Sequence, residues 1–255
     1  MATQDINPEG SFFSGTSGLV LPVPNKQFYP PEFQDKSQLH YYGSLFNSLE
    51  VNSSFYKVPK ATTVQKWADD VPADFRFTYK IWQDITHQKN LFFKQDDVKH
   101  FMEIIDKAGT KKGCLLVQLP PGIKYSDSGQ LENLLSTITL FDPRQSWKVA
   151  IEFRHPSWYR EETADLLARY QMTMVVHDRK GSVSPVPEPV QDFVYVRFHG
   201  PEGDYKGSYT DQFLYEYAGY LKEWMVTGKD IYVYFNNTIG NAIHNLETLN
   251  RYMTL

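Results

Sequence analysis

The feature that most constrains this chain is a repeated alternation between short apolar runs and longer amphipathic segments. Eight runs have the length and composition of β-strands, and each is followed by a segment with helical spacing or by a loop. A strand that is followed by such a crossover can pair in parallel with the next strand, so the alternation predicts an α/β fold with parallel strands. The predicted strands are residues 12–18, 48–56, 75–80, 113–119, 148–154, 172–177, 193–199 and 231–235.

Eight such units in 255 residues match the size of one (β/α)8 barrel of the TIM type. We therefore predict a single TIM-barrel domain over residues 1–255, with some helices shortened or replaced by loops, as in the Pro- and Ser-rich segment 179–189. A doubly wound open sheet is the alternative. No Gly-x-Gly-x-x-Gly follows a predicted strand and the sequence has no P-loop, so no nucleotide cofactor is indicated.

The bulk composition restricts partners and location. The net charge of −4 gives no global basic field, which disfavours nucleic acid as a partner without excluding a local site. The single cysteine, Cys114, lies in an apolar run and is predicted to be a buried small hydrophobe in a reducing, cytoplasmic environment. Residues 1–10 are polar and acidic, so we expect neither a signal peptide nor a membrane span.

Polar and charged side chains follow nearly every predicted strand. The apolar run that begins at Val149 ends in Glu152 and Arg154, which alternation places on one face of the strand. In a TIM barrel the functional residues collect at the carboxyl ends of the strands, so we expect one shared site there. The residues at the other strand ends are Glu50 and Asn52, Lys80 and His87, Gln118, His177 and Asp178, Arg197 and His199, and Asn236 and Asn237.

The residue types at these strand ends favour binding of an anion. Arg154, Arg197 and Lys80 supply cations that could clamp a phosphate or a carboxylate, and anion binding is predicted to depend on the two arginines. Glu50 and Glu152 are candidates for general acid and base. The remaining predicted site residues are His199 as a further catalytic candidate, and Asn52, Tyr56, His87, Gln118, Trp158, Asn236 and Asn237 as ligand-binding candidates, with the Tyr56 and Trp158 rings as cavity walls.

Other chemistries fit this residue set less well. Two carboxylates suggest glycoside hydrolysis, but the surrounding cations would oppose an oxocarbenium ion. A metal ion is not favoured and no metal ligand is predicted, because the sequence has no His-Glu-x-x-His signature and the arginines would repel a cation. A metal site would need His and carboxylate side chains to converge; the residues that could do so are His87, His177, Asp178, His199 and Glu152.

Eight sequence motifs span nearly the whole chain. They are 15–18 (GTSG), 28–30 (FYP), 49–56 (LEVNSSFY), Lys80 with 85–87 (ITH), 117–121 (VQLPP), 152–158 (EFRHPSW), 196–200 (VRFHG) and 234–237 (YFNN). In these motifs and their order the chain resembles the YecE-like family of TIM-barrel proteins. The resemblance implies the barrel; it implies no activity, because the family is a domain of unknown function. One departure is the Leu-Val-Leu-Pro stretch at 19–22, where family members usually carry an aromatic residue, often Trp.

Two classes of function remain open at this point. One is an enzyme, such as a hydrolase or lyase, that acts on a phosphorylated or other anionic substrate. The other is a non-catalytic module that binds an anionic metabolite or nucleic acid. A metal-assisted phosphoesterase, similar at fold level to endonuclease IV-like barrels, is a third possibility that rests on analogy alone.

Overall fold

A computed structural model of the protein describes residues 9–186 and 191–255. Residues 1–8, which belong to the segment 1–10 where no signal peptide is predicted, lie outside this range. Residues 187–189 of the predicted irregular segment 179–189 also lie outside it. Residues 179–186 contain only a turn, as the sequence predicted. The strands of the described residues are β1 (Phe12–Thr16), β2 (Ser48–Val51), β3 (Arg76–Lys80), β4 (Lys112–Gln118), β5 (Lys148–Glu152), β6 (Thr173–Met174), β7 (Val176–His177), β8 (Phe193–Phe198) and β9 (Asp230–Phe235).

Helices follow most of these strands. The Ser157 hydroxyl accepts a hydrogen bond from the Tyr125 backbone N–H, and the next α-helix begins at Glu161. No helix in the described part of the chain is long and apolar enough to cross a membrane. The α-helices are α1 (Gln38–Leu45), α2 (Ser53–Tyr56), α3 (Ala61–Asp69), α4 (Gln83–Thr86), α5 (Gln95–Ile105), α6 (Ser128–Phe141), α7 (Glu161–Arg169), α8 (Asp211–Val226) and α9 (Ala242–Met253).

The strands form two parallel sheets, which confirms the α/β class. One sheet has the order β1-β9-β8-β7 and the other has the order β2-β3-β4-β5-β6. The sequence predicts eight strands and the described residues contain nine, because the predicted sixth strand is interrupted at Val175. Its first part, β6, belongs to one sheet, and its second part, β7, belongs to the other. The predicted second strand is also shorter, because Asn52 leaves the extended conformation and the short helix α2 follows.

Narrow contacts join the two sheets at both places where the ladder is interrupted. Between β1 and β2 a single bridge pairs Ser17 with Glu50, and the Gly18 N–H donates to the Glu50 carbonyl at 2.8 Å. At the other interruption the Val175 N–H donates to the Ile151 carbonyl at 2.9 Å. The two sheets are therefore neighbours along both edges.

Apolar side chains occupy both faces of the strands. Outward-facing residues such as Val149 and Ile151 belong to the larger core, which includes the buried helix residues. A smaller cluster lies between the sheets, because its members come from β4 and β5 of one sheet and from β8 and β9 of the other. Cys114 belongs to this inner cluster and is fully buried, as predicted. The inner cluster consists of Cys114, Leu116, Ala150, Val175, Phe193, Tyr195, Tyr232 and Tyr234.

One buried tyrosine links the two sheets through its hydroxyl group. The Tyr234 hydroxyl on β9 lies 2.6 Å from the Ser48 hydroxyl on β2 and 2.7 Å from the Thr78 hydroxyl on β3. All three side chains are buried. Because buried hydroxyls need partners, this cluster fixes how the sheets face each other.

We expect Tyr234→Phe to lower the free energy of unfolding by about 1–3 kcal/mol, because the Ser48 and Thr78 hydroxyls lose their shared partner. Urea denaturation measures this change. Tyr220→Phe, at a half-exposed tyrosine on α8, is the matched control and should change stability by less than about 0.5 kcal/mol. Equal effects of the two substitutions would contradict a stabilising role for the Tyr234 hydroxyl.

Candidate functional site

The centre of the candidate site is Arg197, on β8. Its Nε donates to Glu50 Oε2 at 3.0 Å, and its Nη2 donates to Glu50 Oε1 at 2.7 Å. Its Nη1 donates to Glu152 Oε2 at 2.6 Å and faces His199 Nε2 at 3.4 Å, while Nη2 also donates to Ser17 Oγ at 3.0 Å. A guanidinium carries five N–H donors, so each of them has a partner here.

These ion pairs connect the two sheets. Arg197 is in the four-stranded sheet, whereas Glu50 on β2 and Glu152 on β5 are in the five-stranded sheet. Arg197 is only 2% exposed and both carboxylates are fully buried. Removing a single partner from such a set leaves a buried charge without compensation, which is strongly destabilising.

Glu152 is held in its ionised form. Burial alone would raise the pKa of its carboxyl group, but Arg154 and Arg197 outweigh burial and keep this pKa well below the usual value. The Arg154 guanidinium pairs with Oε1 and the Arg197 guanidinium pairs with Oε2. A carboxylate in this setting can accept a proton only at low pH, so it cannot act as a general acid near neutrality.

His199 is neutral and its orientation is fixed from two sides. Its Nε2 lies 3.1 Å from Arg154 Nη2, and because arginine only donates, Nε2 must accept. The ring proton is then on Nδ1, which lies 3.3 Å from Asp178 Oδ1. Burial is the main cause that lowers the pKa of His199. Asp178 is held in turn by the Tyr209 hydroxyl and by the His199 backbone N–H.

A polar cavity of about 160 Å³ lies at the carboxyl ends of the strands, next to this network. The Lys80 ammonium group in its wall donates to Gln118 Oε1 at 2.8 Å and lies 3.9 Å from the centre of the Phe55 ring. No carboxylate of the described residues pairs with Lys80. The cavity is lined by Asn52, Phe55, Tyr56, Lys80, Gln118, Arg154, Arg197, Tyr205 and Asn236.

The charges at the site do not balance. Two buried carboxylates, Glu50 and Glu152, face the cations Arg154, Arg197 and Lys80, so one positive charge is in excess when Lys80 is protonated. Burial is the main cause that lowers the pKa of Lys80 to about 8, and repulsion from Arg197 adds to it. Lys80 is therefore mostly protonated at pH 7, but its charge is poorly solvated.

The structure brings the predicted strand-end residues together. Lys80, Gln118, Arg154, Arg197 and Asn236 line the cavity, as do Asn52 and Tyr56, whose ring is largely exposed at the rim. Three further predicted residues do not reach the cavity surface; they are fully buried beside Arg197. These residues are Glu50, Glu152 and His199.

Three predicted ligand-binding residues lie outside the cavity lining. The prediction for Trp158 is wrong, because its buried ring stacks on Phe153, on the face of β5 opposite Glu152, and donates to the Ile123 carbonyl at 3.0 Å. Asn237 also points away from the cavity, since its amide donates to the Gly207 carbonyl at 3.1 Å and to Asn245 at 2.9 Å. The exposed His87 packs against the Phe55 ring.

The sequence reasoning missed four residues of the site: Ser17, Phe55, Tyr195 and Tyr205. Tyr195 is two positions before Arg197 on β8 and donates its hydroxyl hydrogen to Glu50, so strand alternation was a signal that could have found it. Tyr205 lines the cavity from the loop after β8 and has a left-handed φ of 73°. The three glycines of this loop, at positions 200, 203 and 207, indicate unusual backbone but do not identify the tyrosine.

The candidate metal ligands do not converge. Among residues 9–186 and 191–255, no group of three or more His, Cys, Asp or Glu side chains is arranged to hold a metal ion. His177 illustrates why, because its Nε2 bonds to the Phe153 carbonyl at 3.0 Å and its Nδ1 accepts from the Arg179 backbone N–H at 3.2 Å. Both ring nitrogens are thus engaged with the backbone.

The fold and the site define an α/β protein whose parallel strands end in a buried ion-pair network beside a small polar cavity. A family profile described as "Protein of unknown function DUF72" matches residues 13–255, and the chain belongs to this family. The resemblance to the YecE-like family is thereby confirmed. The UPF0759 protein YunF of Bacillus subtilis is 26% identical, over 83% of this chain and 84% of that protein. The UPF0759 protein YecE of Escherichia coli K12 is 27% identical over 123 residues, 48% of this chain and 43% of that protein.

Solved structures of the same family have a similar fold. A DUF72 family protein from Thermotoga maritima is 25% identical, with a TM-score of 0.77 over 96% of this chain and 100% of that chain. A second one, from Enterococcus faecalis, is 19% identical, with a TM-score of 0.76 over 96% of this chain and 95% of that chain. These likenesses concern the fold and the family, and they indicate no ligand.

The pKa of His177 predicts a pH-dependent stability. Burial is the main cause that lowers this pKa to about 4, compared with about 6.5 in the unfolded chain. As the pH is lowered, His177 takes up a proton in the unfolded state before it does so in the folded state. The free energy of unfolding therefore keeps its full value above pH 6.5 and decreases as the pH falls towards 4. This residue should therefore reduce the free energy of unfolding by about 1–2 kcal/mol between pH 7 and pH 5.

Urea denaturation at pH 7 and pH 5 tests this expectation. His177→Gln should show a smaller difference between the two pH values than the wild type, because glutamine does not titrate. His244→Gln, at an exposed histidine on α9, should keep the wild-type difference. A His177→Gln variant with the full wild-type difference would show that this histidine is not held neutral.

Proposed function

We propose that the cavity at the carboxyl ends of the strands binds a phosphorylated or other anionic ligand. The observation that carries the proposal is the position of Lys80: a half-buried cation that lines the cavity and has no carboxylate partner among the described residues. A charge that is partly removed from water and has no opposite charge beside it is poorly stabilised. An anion in the cavity would provide the missing partner.

Further donors around the cavity support an anion. Lys80 has three N–H donors and uses one for Gln118. The Nε of Arg154 is buried without a hydrogen-bond partner in the described part of the chain, so a small movement of this side chain would offer it to a ligand. The Asn236 amide also lines the cavity. Together these groups match the oxygens of a phosphate or a carboxylate.

Arg197 has a different role in this proposal from that of Lys80 and Arg154. Each of its N–H groups is already bonded, to Glu50, Glu152, Ser17 or His199. Its contribution is therefore to keep both carboxylates compensated, and the direct contacts to the anion fall to Lys80, Arg154 and Asn236. Arg197→Ala would still weaken anion binding, but through loss of the network as well as loss of charge.

Anion binding is compatible with both classes of function. If a reaction follows binding, His199 is the best candidate for a base, because it is neutral and a movement of Arg154 would free its Nε2 lone pair. Glu152 is suited to hold charge rather than to donate a proton. Without such a movement the site is a binding module for an anionic metabolite. A metal-assisted phosphoesterase is less well supported, because both buried carboxylates are already paired with arginines.

We also propose that the two sheets form one barrel domain of the TIM type. With β6 and β7 counted as one interrupted strand, the strand order is circular, since β1 and β2 are linked by the bridge between Ser17 and Glu50. The inner apolar cluster takes its members from both sheets, as the interior of a barrel does. This arrangement would explain why polar strand ends from both sheets meet in one cavity.

Isothermal titration calorimetry with inorganic phosphate and sulfate at pH 7, in a buffer without either anion, tests the proposed ligand class. The wild type should bind, and Lys80→Met should lower the affinity at least tenfold, or about 1.4 kcal/mol, because a charge-assisted contact is lost. Lys66→Met, at an exposed lysine on α3, is the matched control and should bind as the wild type does. A wild type that binds neither anion, or a folded Lys80→Met variant of equal affinity, would contradict the proposal.

A further inference from the structure

A second, apolar pocket adjoins the polar cavity. Its volume is about 230 Å³, and Asn52 lines both spaces. The two spaces differ in chemistry, since charged and amide groups dominate the first and hydrocarbon side chains dominate the second. The apolar pocket is lined by Gly18, Leu19, Leu39, Leu49, Val51, Asn52, Ser53, Trp67 and Phe77.

Strand β2 separates the two spaces through its alternation. Glu50 points inward to Arg197, whereas Leu49 and Val51 belong to the outer core that packs beneath the helices. Leu39 on α1 and Trp67 on α3 supply the opposite wall of the pocket. The strand ends at Val51, so the next side chain along the chain stands at the junction of both spaces.

The residue at this junction is fixed to the ion-pair network. Asn52 Nδ2 donates to Ser17 Oγ at 2.7 Å, and Ser17 is bonded in turn to Glu50 and to Arg197. The side chain that lines both spaces is therefore held in place by the groups that organise the anion cavity.

The size of the apolar pocket suits a small hydrocarbon group. Protein interiors rarely leave voids larger than a water molecule, and an apolar cavity of about 150 Å³ is large enough to take up benzene. Leu19 and Trp67 remain partly exposed at the pocket. A ring or a short alkyl chain that entered here would cover both side chains.

We infer that the ligand joins an apolar group to its anionic group, as in an aryl or short alkyl phosphate. This inference rests on the proposed function, because the anion is assigned to the polar cavity. The anionic group would contact Lys80, and the apolar group would pass Asn52 to reach the pocket between β2, α1 and α3. The shared lining residue Asn52 and the contrast between the two linings favour one ligand that spans both spaces.

Calorimetric titration with a series of phosphate monoesters tests this inference. Methyl phosphate is the reference, because it has the same charged group as its longer relatives. Phenyl phosphate should bind at least tenfold more tightly than methyl phosphate. In the n-alkyl series from methyl to butyl, each buried methylene should raise the affinity about fourfold until the pocket is full.

Substitutions separate the two spaces. Leu19→Trp should fill the apolar pocket and reduce the affinity for phenyl phosphate to that for methyl phosphate, while methyl phosphate binds as it does to the wild type. Leu140→Trp, at an exposed position on α6, is the matched control and should keep the preference for phenyl phosphate. If Leu19→Trp does not fold, Ser53→Phe at the exposed rim of the pocket provides the same test.

The possible results distinguish the inference from the proposed function. If the wild type binds methyl phosphate but phenyl phosphate binds no more tightly, the inference is wrong and the anion cavity stands. A preference for phenyl phosphate that survives in folded Leu19→Trp and Ser53→Phe variants also overturns the inference, because the apolar group then lies elsewhere. If the wild type binds neither inorganic phosphate nor any ester, the proposed function fails together with the inference.

Discussion

The buried guanidinium of Arg197 is the interaction on which the rest of the site depends. It belongs to one sheet and is neutralised by Glu50 and Glu152 from the other, so it ties the two sheets together where their strands end. A charge in this position is tolerated only with complete compensation. Because Arg197 and Arg154 together use both carboxylates, the third cation, Lys80, has no carboxylate left to pair with.

The interior changes from apolar to charged along the strands. On β8 the inward side chains are Phe193, Tyr195 and Arg197, and His199 follows the strand. The first packs in the inner apolar cluster, the second donates to Glu50, and the third forms the ion pairs. On β8 this gradient places the buried charge at the carboxyl end of the strand. It also leaves the opposite end of the interior to ordinary apolar packing, which supplies stability.

Much of the site could be predicted from the sequence because strands have a period of two. Alternation places Glu152 of β5 and Arg154, two residues further along, on one side of the chain, and the same rule applied to β8 turns Arg197 inward. The rule fails where the chain turns further beyond the strand ends. Trp158 and Asn237 follow their strands closely in sequence, but the chain has turned there, and local hydrogen bonds direct both side chains away from the cavity.

Features that depend on tertiary structure escaped the sequence reasoning. The interruption at Val175 leaves no mark in an apolar run, since the break changes which sheet each half joins and not which residues are buried. Tyr205 reaches the cavity from a loop whose path is set by contacts with distant residues. The apolar pocket is formed by side chains from β2, α1, α3 and the turn after β1, so no local pattern could reveal it.

An NMR titration of Lys80 tests the excess positive charge at the site most directly. The lysines are labelled with ¹³C at the ε-carbon, and the Lys80 signal is the one that is lost in Lys80→Met. Without a ligand, the pKa of Lys80 should be about 8, because burial and Arg197 disfavour its charged form. In saturating inorganic phosphate this pKa should rise, because a bound anion stabilises the ammonium group. A pKa near the ordinary lysine value of about 10.4 that does not change with phosphate would contradict both the half-buried, unpaired cation and the anion site proposed around it.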